Sequence, residues 1–216
     1  MNKLKLINSI VRTKLSDAEL KNIMDVIEQS HNQDSFVYYI DGIRLTYDYE
    51  MNLTKELDSL DENYVFTLYD IYKITLWKVN RFPNITTDSV FMQKFNELAT
   101  ITYEDFNAKK QNITEVLKEL LNTKGVRLPM ASTYLRFRNP KLFQIIDQRV
   151  WRVVQEYREE ADTTLHHSEN IDNEIDKYFK YLETLRELAN KHNIAFENAD
   201  RAFYVWDIYH GHNVEY

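Results

Sequence analysis

The sequence predicts an all-α protein, because it has few residues that break helices and several segments with helical spacing of apolar residues. Only three glycines and three prolines occur in 216 residues, whereas average usage gives about fifteen glycines. Gly-rich phosphate-binding loops and hairpin-dense β-sandwiches are therefore excluded. Long helices become the default expectation.

Two segments in the first half of the chain repeat apolar residues every three or four positions. Residues 17–31 and residues 62–82 each predict an amphipathic helix, and the second ends just before a proline. Residues 36–49 are aromatic and β-branched around Asp41-Gly42, which fits a short β-hairpin but leaves a helix-loop-helix open. The apolar stripe of the second helix comprises Val65, Leu68, Tyr69, Tyr72, Leu76 and Val79.

The second half predicts helices joined by short turns. Two short helices are expected near residues 88–99 and 103–109. The next helix ends at Asn122-Thr123-Lys124-Gly125, where the glycine supplies a left-handed residue, and another begins at Leu128-Pro129. Three further helices follow, one after Asp147, one over 171–191 and one over 198–210.

No linker, repeat or low-complexity tract divides the chain, so a single helical unit over residues 1–216 is expected, with residues 1–60 as an extension of a core at 62–216. Cysteine is absent, which excludes disulfides, thiolate nucleophiles and iron–sulfur clusters. No signal-peptide segment or 18-residue apolar run is visible, so a cytoplasmic protein without a membrane partner is expected.

Positive charge is concentrated in the centre of the chain. Residues 124–152 contain seven Lys or Arg and one Asp, a net charge of +6. Because the whole chain has a net charge of −7, the residues outside this segment sum to −13. Such asymmetry is typical of a protein that meets a phosphate backbone with one face. The interpretation that these basic residues only solvate helix surfaces fits the charge pattern equally well. The seven cations are Lys124, Arg127, Arg136, Arg138, Lys141, Arg149 and Arg152.

Two central segments resemble the helix-hairpin-helix superfamily of DNA base-excision glycosylases, the endonuclease III-like proteins. In LLNTKGVRLPMASTYLRF, Gly125 and Val126 match the first two positions of the family's Gly-hydrophobic-Gly turn, and Ala131 matches a small residue of the next helix. In FQIIDQRVWRVV, Asp147 lies sixteen positions beyond Ala131, the spacing of the family's catalytic aspartate.

The resemblance implies a helical fold in which two lobes flank a cleft, with a hairpin at residues 112–137. It implies double-stranded DNA as the partner and the nucleoid as the location. The implied DNA contacts are the turn at Lys124, Gly125, Val126 and Arg127, together with Arg136, Arg138, Lys141, Arg149 and Arg152. Backbone N–H groups at the start of the second hairpin helix form the expected anion site.

The chain departs from the family pattern at two hairpin positions. Arg127 replaces the second glycine of the turn, where relatives bind a monovalent cation, and such a cation is the only cofactor that the resemblance allows. Pro129 occupies the position of the Schiff-base lysine of bifunctional members. The resemblance therefore implies a monofunctional N-glycosylase without lyase activity, with Asp147 as its catalytic residue.

A chemical role for Asp147 can be argued independently of the family. Cleavage of an N-glycosidic bond develops positive charge on the sugar. A fixed carboxylate near the anomeric carbon can stabilise this charge or activate the attacking water. Ile145 and Ile146 should raise the pKa of Asp147 by desolvation, whereas Arg149 or Arg152 and the following helix N-terminus should lower it. An aspartate at this position is also a good N-cap, worth about 1 kcal/mol, and the two roles are compatible.

Aromatic and histidine side chains are weaker indicators. Candidates to hold an extruded base are Tyr38, Tyr39, Tyr69, Tyr72, Trp77 and Trp206, although core packing is the better interpretation for most of them. For Phe137 and Phe143, anchoring of the loop before Asp147 is favoured over wedging between bases. The pairs His166-His167 and His210-Gly211-His212 lack metal-ligand spacing, so no metal site is expected.

Two other classes of function fit the same residues. A non-catalytic DNA-binding module would keep the hairpin and the basic face without base excision. A helical interaction protein would use the central arginines against an acidic partner, including the acidic remainder of a second copy.

Overall fold

The computed structural model describes residues 35–47, 49, 51–78 and 89–210. Within these ranges the chain is mostly helical, with eight α-helices and one two-stranded sheet. The predicted helical class is therefore confirmed, with a hairpin added to it. The helix predicted at 17–31 lies outside the described residues. None of the described helices combines the length and the apolar character that a bilayer crossing requires.

The elements are numbered in chain order. They are β1 (Phe36–Ile40), β2 (Ile43–Tyr47), α1 (Met51–Asp58), α2 (Leu68–Lys78), α3 (Ser89–Glu97), α4 (Phe106–Asn122), α5 (Leu128–Arg138), α6 (Gln148–Tyr157), α7 (Ile171–Lys191) and α8 (Ala199–Tyr209). Short 3-10 turns over Leu98–Thr100 and Phe196–Asn198 follow α3 and precede α8.

The segment at 36–49 contains an antiparallel hairpin, which resolves the alternative that the sequence left open. Asp41 and Gly42 both have positive φ, 49° and 79°, as a two-residue turn requires when its twist matches that of the strands. Ile40, Leu45 and Tyr47 are buried, and the hairpin packs against α8. This packing brings Tyr47, at the end of β2, against Tyr204 on α8, with ring centroids 6.2 Å apart.

Helix α2 begins six residues later than predicted from the 62–82 pattern. Asp70 accepts hydrogen bonds from both the backbone N–H and the hydroxyl of Thr67, each at 2.8 Å, and these bonds stabilise an extended entry to a helix that starts at Leu68. Val65 was expected on the core stripe, but it precedes the helix and is 66% exposed. The prediction was wrong there because a polar side chain within the apolar pattern sets the first turn.

Helix α1 was not predicted, whereas the helices from α3 onward follow their predicted positions closely. The two segments expected around 103–109 and from 112 form a single helix, α4, because no residue between them breaks a helix. Helices α4 and α5 form the predicted hairpin, and α7 spans the predicted range. Helix α5 packs against α2, where the Tyr134 and Thr75 hydroxyls lie 2.7 Å apart in the core.

Candidate functional site

Asp147 caps the N-terminus of α6 with one of its two carboxylate oxygens. Oδ1 accepts the backbone N–H groups of Arg149 at 2.9 Å and Val150 at 3.0 Å. The backbone of Asp147 is extended, as an N-cap requires. Among the described residues no hydrogen bond to Oδ2 is found. The predicted cap is confirmed, and it uses only part of the hydrogen-bonding capacity of the carboxylate.

The two residues before Asp147 are held by buried polar groups. The Ile145 N–H donates to Asp200 Oδ2 at 3.2 Å, and its carbonyl accepts from the Tyr181 hydroxyl at 2.6 Å. The Ile146 N–H donates to the Ser132 hydroxyl at 3.2 Å. Three helices, α5, α7 and α8, thus fix the backbone that leads into Asp147.

Asp147 lines a cavity of about 410 Å³, which lies in the size range of small-molecule sites. Pro129, from the start of the second hairpin helix, lines the same cavity. The hairpin and the aspartate, separated in the sequence, therefore meet at one space. The other lining residues are Tyr47, Tyr49, Trp77, Lys78, Ile145, Gln148, Arg149, Leu165, Asp200, Arg201 and Tyr204.

Aromatic rings with defined contacts form part of the cavity wall. Tyr49 and Trp77 pack edge to face with ring centroids 5.2 Å apart, and the Tyr49 hydroxyl donates to the Trp77 carbonyl at 2.9 Å. The Trp77 indole N–H donates to the Thr54 hydroxyl at 2.8 Å. These bonds restrict ring rotation, so the wall keeps its shape before any ligand enters.

The electrostatic environment of Asp147 is mixed. Burial raises the pKa of Asp147 above its ordinary value, while Lys78 and the N–H groups of Val150 and Arg149 act to lower it. A second negative charge, on Asp200, adds to the increase. The sequence correctly predicted that desolvation raises this pKa, but the side-chain cation that opposes it is Lys78.

Arg149 and Arg152 were expected to be that cation, and the structure corrects this expectation. Their guanidinium groups bind Asp207 on α8, with N–O distances of 2.9 Å and 3.5 Å, and Asp207 is fully buried. The Arg149 guanidinium also lies over the Tyr204 ring, 5.6 Å from its centroid. Both arginines therefore attach α6 to α8.

The hairpin turn exposes two of the predicted cations. Gly125 has a φ of 92°, so it is the left-handed residue that the sequence predicted. Lys124 and Arg127 are exposed, whereas the Val126 side chain is buried and its N–H donates to Thr123 O at 3.0 Å. Pro129 has no N–H. The turn thus offers fewer backbone donors to an anion than expected, and its side chains carry the positive charge.

Arg136 and Arg138 were predicted to contact DNA, and their burial corrects that prediction. Arg136 is 1% exposed and pairs with Asp58, and Arg138 donates to the Glu62 carbonyl at 3.0 Å while lying over the Phe66 ring. A guanidinium held in the interior cannot reach a phosphate. Lys141 is exposed.

The site also contains residues that the sequence did not single out. Of the proposed base-holding aromatics only Trp77 lines the cavity, and the other three rings come from Tyr47, Tyr49 and Tyr204. Lys78 follows Trp77 directly in the sequence, but nothing in the local pattern connected it with Asp147. Phe137 and Phe143 are buried, which agrees with the favoured anchoring role.

Three of the four histidines in the described ranges, His166, His167 and His192, each pair with a single carboxylate. His166 lies 3.0 Å from Asp162, and His167 lies 3.5 Å from Glu174. No group of three potential metal ligands is found among the described residues.

The raised pKa of Asp147 predicts a pH-dependent effect of Asp147→Asn on stability. A carboxyl whose pKa is higher in the folded than in the unfolded protein destabilises the fold progressively as pH rises above its unfolded pKa, about 3.9 for Asp. Asparagine caps helices as well as aspartate does. Urea unfolding should therefore show Asp147→Asn gaining stability relative to wild type between pH 4 and pH 7.

Asp147→Ala is the control, because it loses the cap and should cost about 1 kcal/mol relative to Asp147→Asn at every pH. A stability difference between wild type and Asp147→Asn that shrinks as pH rises would contradict the inferred environment of Asp147.

No known protein-family model matches the chain, and no match is found among curated proteins or solved structures. The function must therefore be inferred from the geometry of the cavity and the adjoining turn.

Proposed function

We propose that the protein is a monofunctional DNA N-glycosylase that removes a damaged or modified base from duplex DNA, with Asp147 as its catalytic residue. One observation carries the proposal: within the described part of the chain only Oδ1 of Asp147 is engaged, in capping α6, and Asp147 lines a cavity that it shares with the second hairpin helix. Oδ2 is thus the oxygen assigned to chemistry.

The environment of Asp147 suits stabilisation of a sugar cation. As the glycosidic bond breaks, positive charge develops on the sugar, and a carboxylate held in a partly desolvated site interacts with it more strongly than one in water. Lys78 and the helix N-terminus favour the ionised form. The same carboxylate can accept a proton from the water that attacks the sugar.

The aromatic part of the cavity suits an extruded base. An enzyme that acts on a base within a duplex must flip it out and hold it against aromatic or apolar side chains. Tyr47, Tyr49, Trp77 and Tyr204 supply such surfaces, and they line the same cavity as Asp147. A flipped nucleoside would place its base among these rings and its sugar near the carboxylate.

The hairpin turn suits the phosphate backbone beside a flipped nucleotide. Lys124 and Arg127 are exposed, and Arg127 is two residues before Pro129, which lines the cavity. A strand that passes the turn would therefore lie beside the cavity opening. Lys141, also exposed, is a further candidate phosphate contact.

A non-catalytic DNA-binding module is the second candidate, because capping of α6 is by itself a sufficient reason for an aspartate at position 147. The helical interaction protein is less well supported, since two of the central arginines are buried and two are paired with Asp207.

The first test is base release by Asp147→Asn. Duplexes that each carry one modified base are incubated with the protein, and the released base is measured. We expect wild type to release at least one base and Asp147→Asn to be slower by a factor on the order of 10² to 10⁴, because a carboxylate acting as base or charge stabiliser is lost. Duplex affinity should not change, since the cap is kept.

The matched control is Asp162→Asn, which alters an exposed aspartate that also accepts a backbone N–H, that of Thr164 at 2.9 Å. It should release base at the wild-type rate. Duplex binding by wild type without release of any base in the panel would favour the binding module instead.

The second test concerns the turn. Replacing Lys124 and Arg127 by Ala should weaken duplex binding and reduce the slope of log affinity against log salt by about one for each lost phosphate contact. Lys180→Ala serves as control, because Lys180 is an exposed lysine on α7 that lines a different groove. Equal slopes for all three proteins would exclude the turn as a phosphate site.

The third test addresses lyase activity. Pro129 supplies no amine, but Lys78 lines the cavity, so the monofunctional assignment can be examined directly. A duplex with a preformed abasic site, treated with borohydride in the presence of the protein, should give no covalent adduct. An adduct that disappears in Lys78→Ala would show that Lys78 forms an imine and that the enzyme is bifunctional.

A further inference from the structure

Four charged side chains form an ion cluster that borders the cavity: Arg136, Asp200 and Arg201, which are buried, and Asp58, which lies at the exposed edge of the cluster. Arg136 and Arg201 both bind Asp58, the latter with an N–O distance of 2.6 Å. Arg136 Nε lies 3.9 Å from Asp200 Oδ2. Burial raises the pKa of Asp58, but the two arginines outweigh it and hold that pKa below its ordinary value. Two cations thus balance two anions in this cluster.

Asp200 differs from the other members because it also binds the segment that leads to Asp147. Its Oδ2 accepts the Ile145 N–H at 3.2 Å, and its own N–H donates to the Gln144 side chain at 3.1 Å. Ile145 is two residues before Asp147. Asp200 and Asp147 also line the same cavity. Asp200 therefore acts on Asp147 in two ways, through its hydrogen bond to the Ile145 backbone and through the negative charge that it places in the cavity.

We propose that Asp200 is a positioning residue for Asp147: its carboxylate fixes the backbone that carries Asp147 and presents a second negative charge to the same cavity. The proposal rests on the proposed function, because it assigns Asp200 a part in setting the protonation state of the catalytic carboxylate. The Arg201 backbone N–H, which donates to Asp200 Oδ1 at 2.7 Å, and the Arg136 guanidinium at 3.9 Å hold Asp200 within the ion cluster.

The charge of Asp200 has a defined direction of effect. It raises the pKa of Asp147, against the opposite effect of Lys78. Removal of that charge, with the hydrogen-bond acceptor kept, should therefore let Asp147 ionise at lower pH. Titratable and charged groups face Asp147 from several neighbouring elements, whereas α5 contributes only Pro129 and Ser132. The groups are Tyr47 on β2, Tyr49 after β2, Lys78 on α2, Arg149 on α6, Tyr181 on α7, and Asp200, Arg201 and Tyr204 on α8.

Ser132 provides a matched control within the same segment. Its hydroxyl accepts the Ile146 N–H at 3.2 Å, next to the bond that Asp200 makes. Ser132→Ala therefore removes one hydrogen bond from this segment without changing any charge. A role that is only structural predicts that Ser132→Ala, which loses its bond, disturbs Asp147 at least as much as Asp200→Asn, which keeps an acceptor, whereas an electrostatic role predicts the opposite order.

The experiment is a titration of the Asp147 side-chain carboxyl by ¹³C NMR in the full-length protein, with the resonance identified by its loss in Asp147→Asn. We expect a midpoint above the ordinary range for Asp in wild type, a shift to lower pH in Asp200→Asn, and no shift in Ser132→Ala. Where a base is released, the acid limb of the pH–rate profile should move to lower pH in Asp200→Asn only.

Asp200→Asn leaves two buried arginines with one partner, so it can fail to fold. The double variant Asp200→Asn/Arg136→Gln keeps the cluster balanced without removing a cation that lines the cavity, and it is then titrated in the same way, with a downward shift again expected. An unchanged midpoint in the folded variant, or a wild-type midpoint at or below the ordinary value, would overturn the proposal. Because the titration needs no substrate, it decides this inference even if no base is ever released.

Discussion

The bonds that fix the four residues from Gln144 to Asp147 are the constraint on which the rest of the site depends. This segment has no helix or strand of its own to satisfy its backbone, yet it lies in the interior, where an unpaired polar group is costly. Tyr178 and Tyr181 on α7 donate to its carbonyls, and Asp200 accepts one of its N–H groups. The position of Asp147 is therefore a consequence of how three helices pack.

The same constraint explains why the central arginines do not form a continuous basic surface. A buried aspartate that holds a backbone N–H needs cations nearby, and a second buried aspartate, Asp207, needs them as well. Arg136, Arg149 and Arg152 meet that need. The positive charge left at the surface of this region is thereby concentrated at the hairpin turn, next to the cavity residue Pro129, and at Lys141.

The predictions from sequence succeeded where local rules decide the outcome. The glycine at the end of α4, the proline in the first turn of α5 and the aspartate before α6 each have a local physical role, and each lies where that role requires. Predictions based on charge alone failed for Arg136 and Arg138, because an arginine on a helix can point to solvent or to a buried carboxylate. The periodicity around them does not distinguish the two.

The sequence by itself determined the helical class, the hairpin turn and the cap at Asp147, because helix propensity, left-handed glycine and N-capping act over a few neighbouring residues. Only the tertiary structure decided which side chains share the cavity with Asp147. Tyr47, Lys78 and Tyr204 reach it from separate elements, and their meeting depends on the packing of β2, α2, α6 and α8. Packing of that kind is set by long-range burial and by the pairing of internal charges, which no short stretch of sequence encodes.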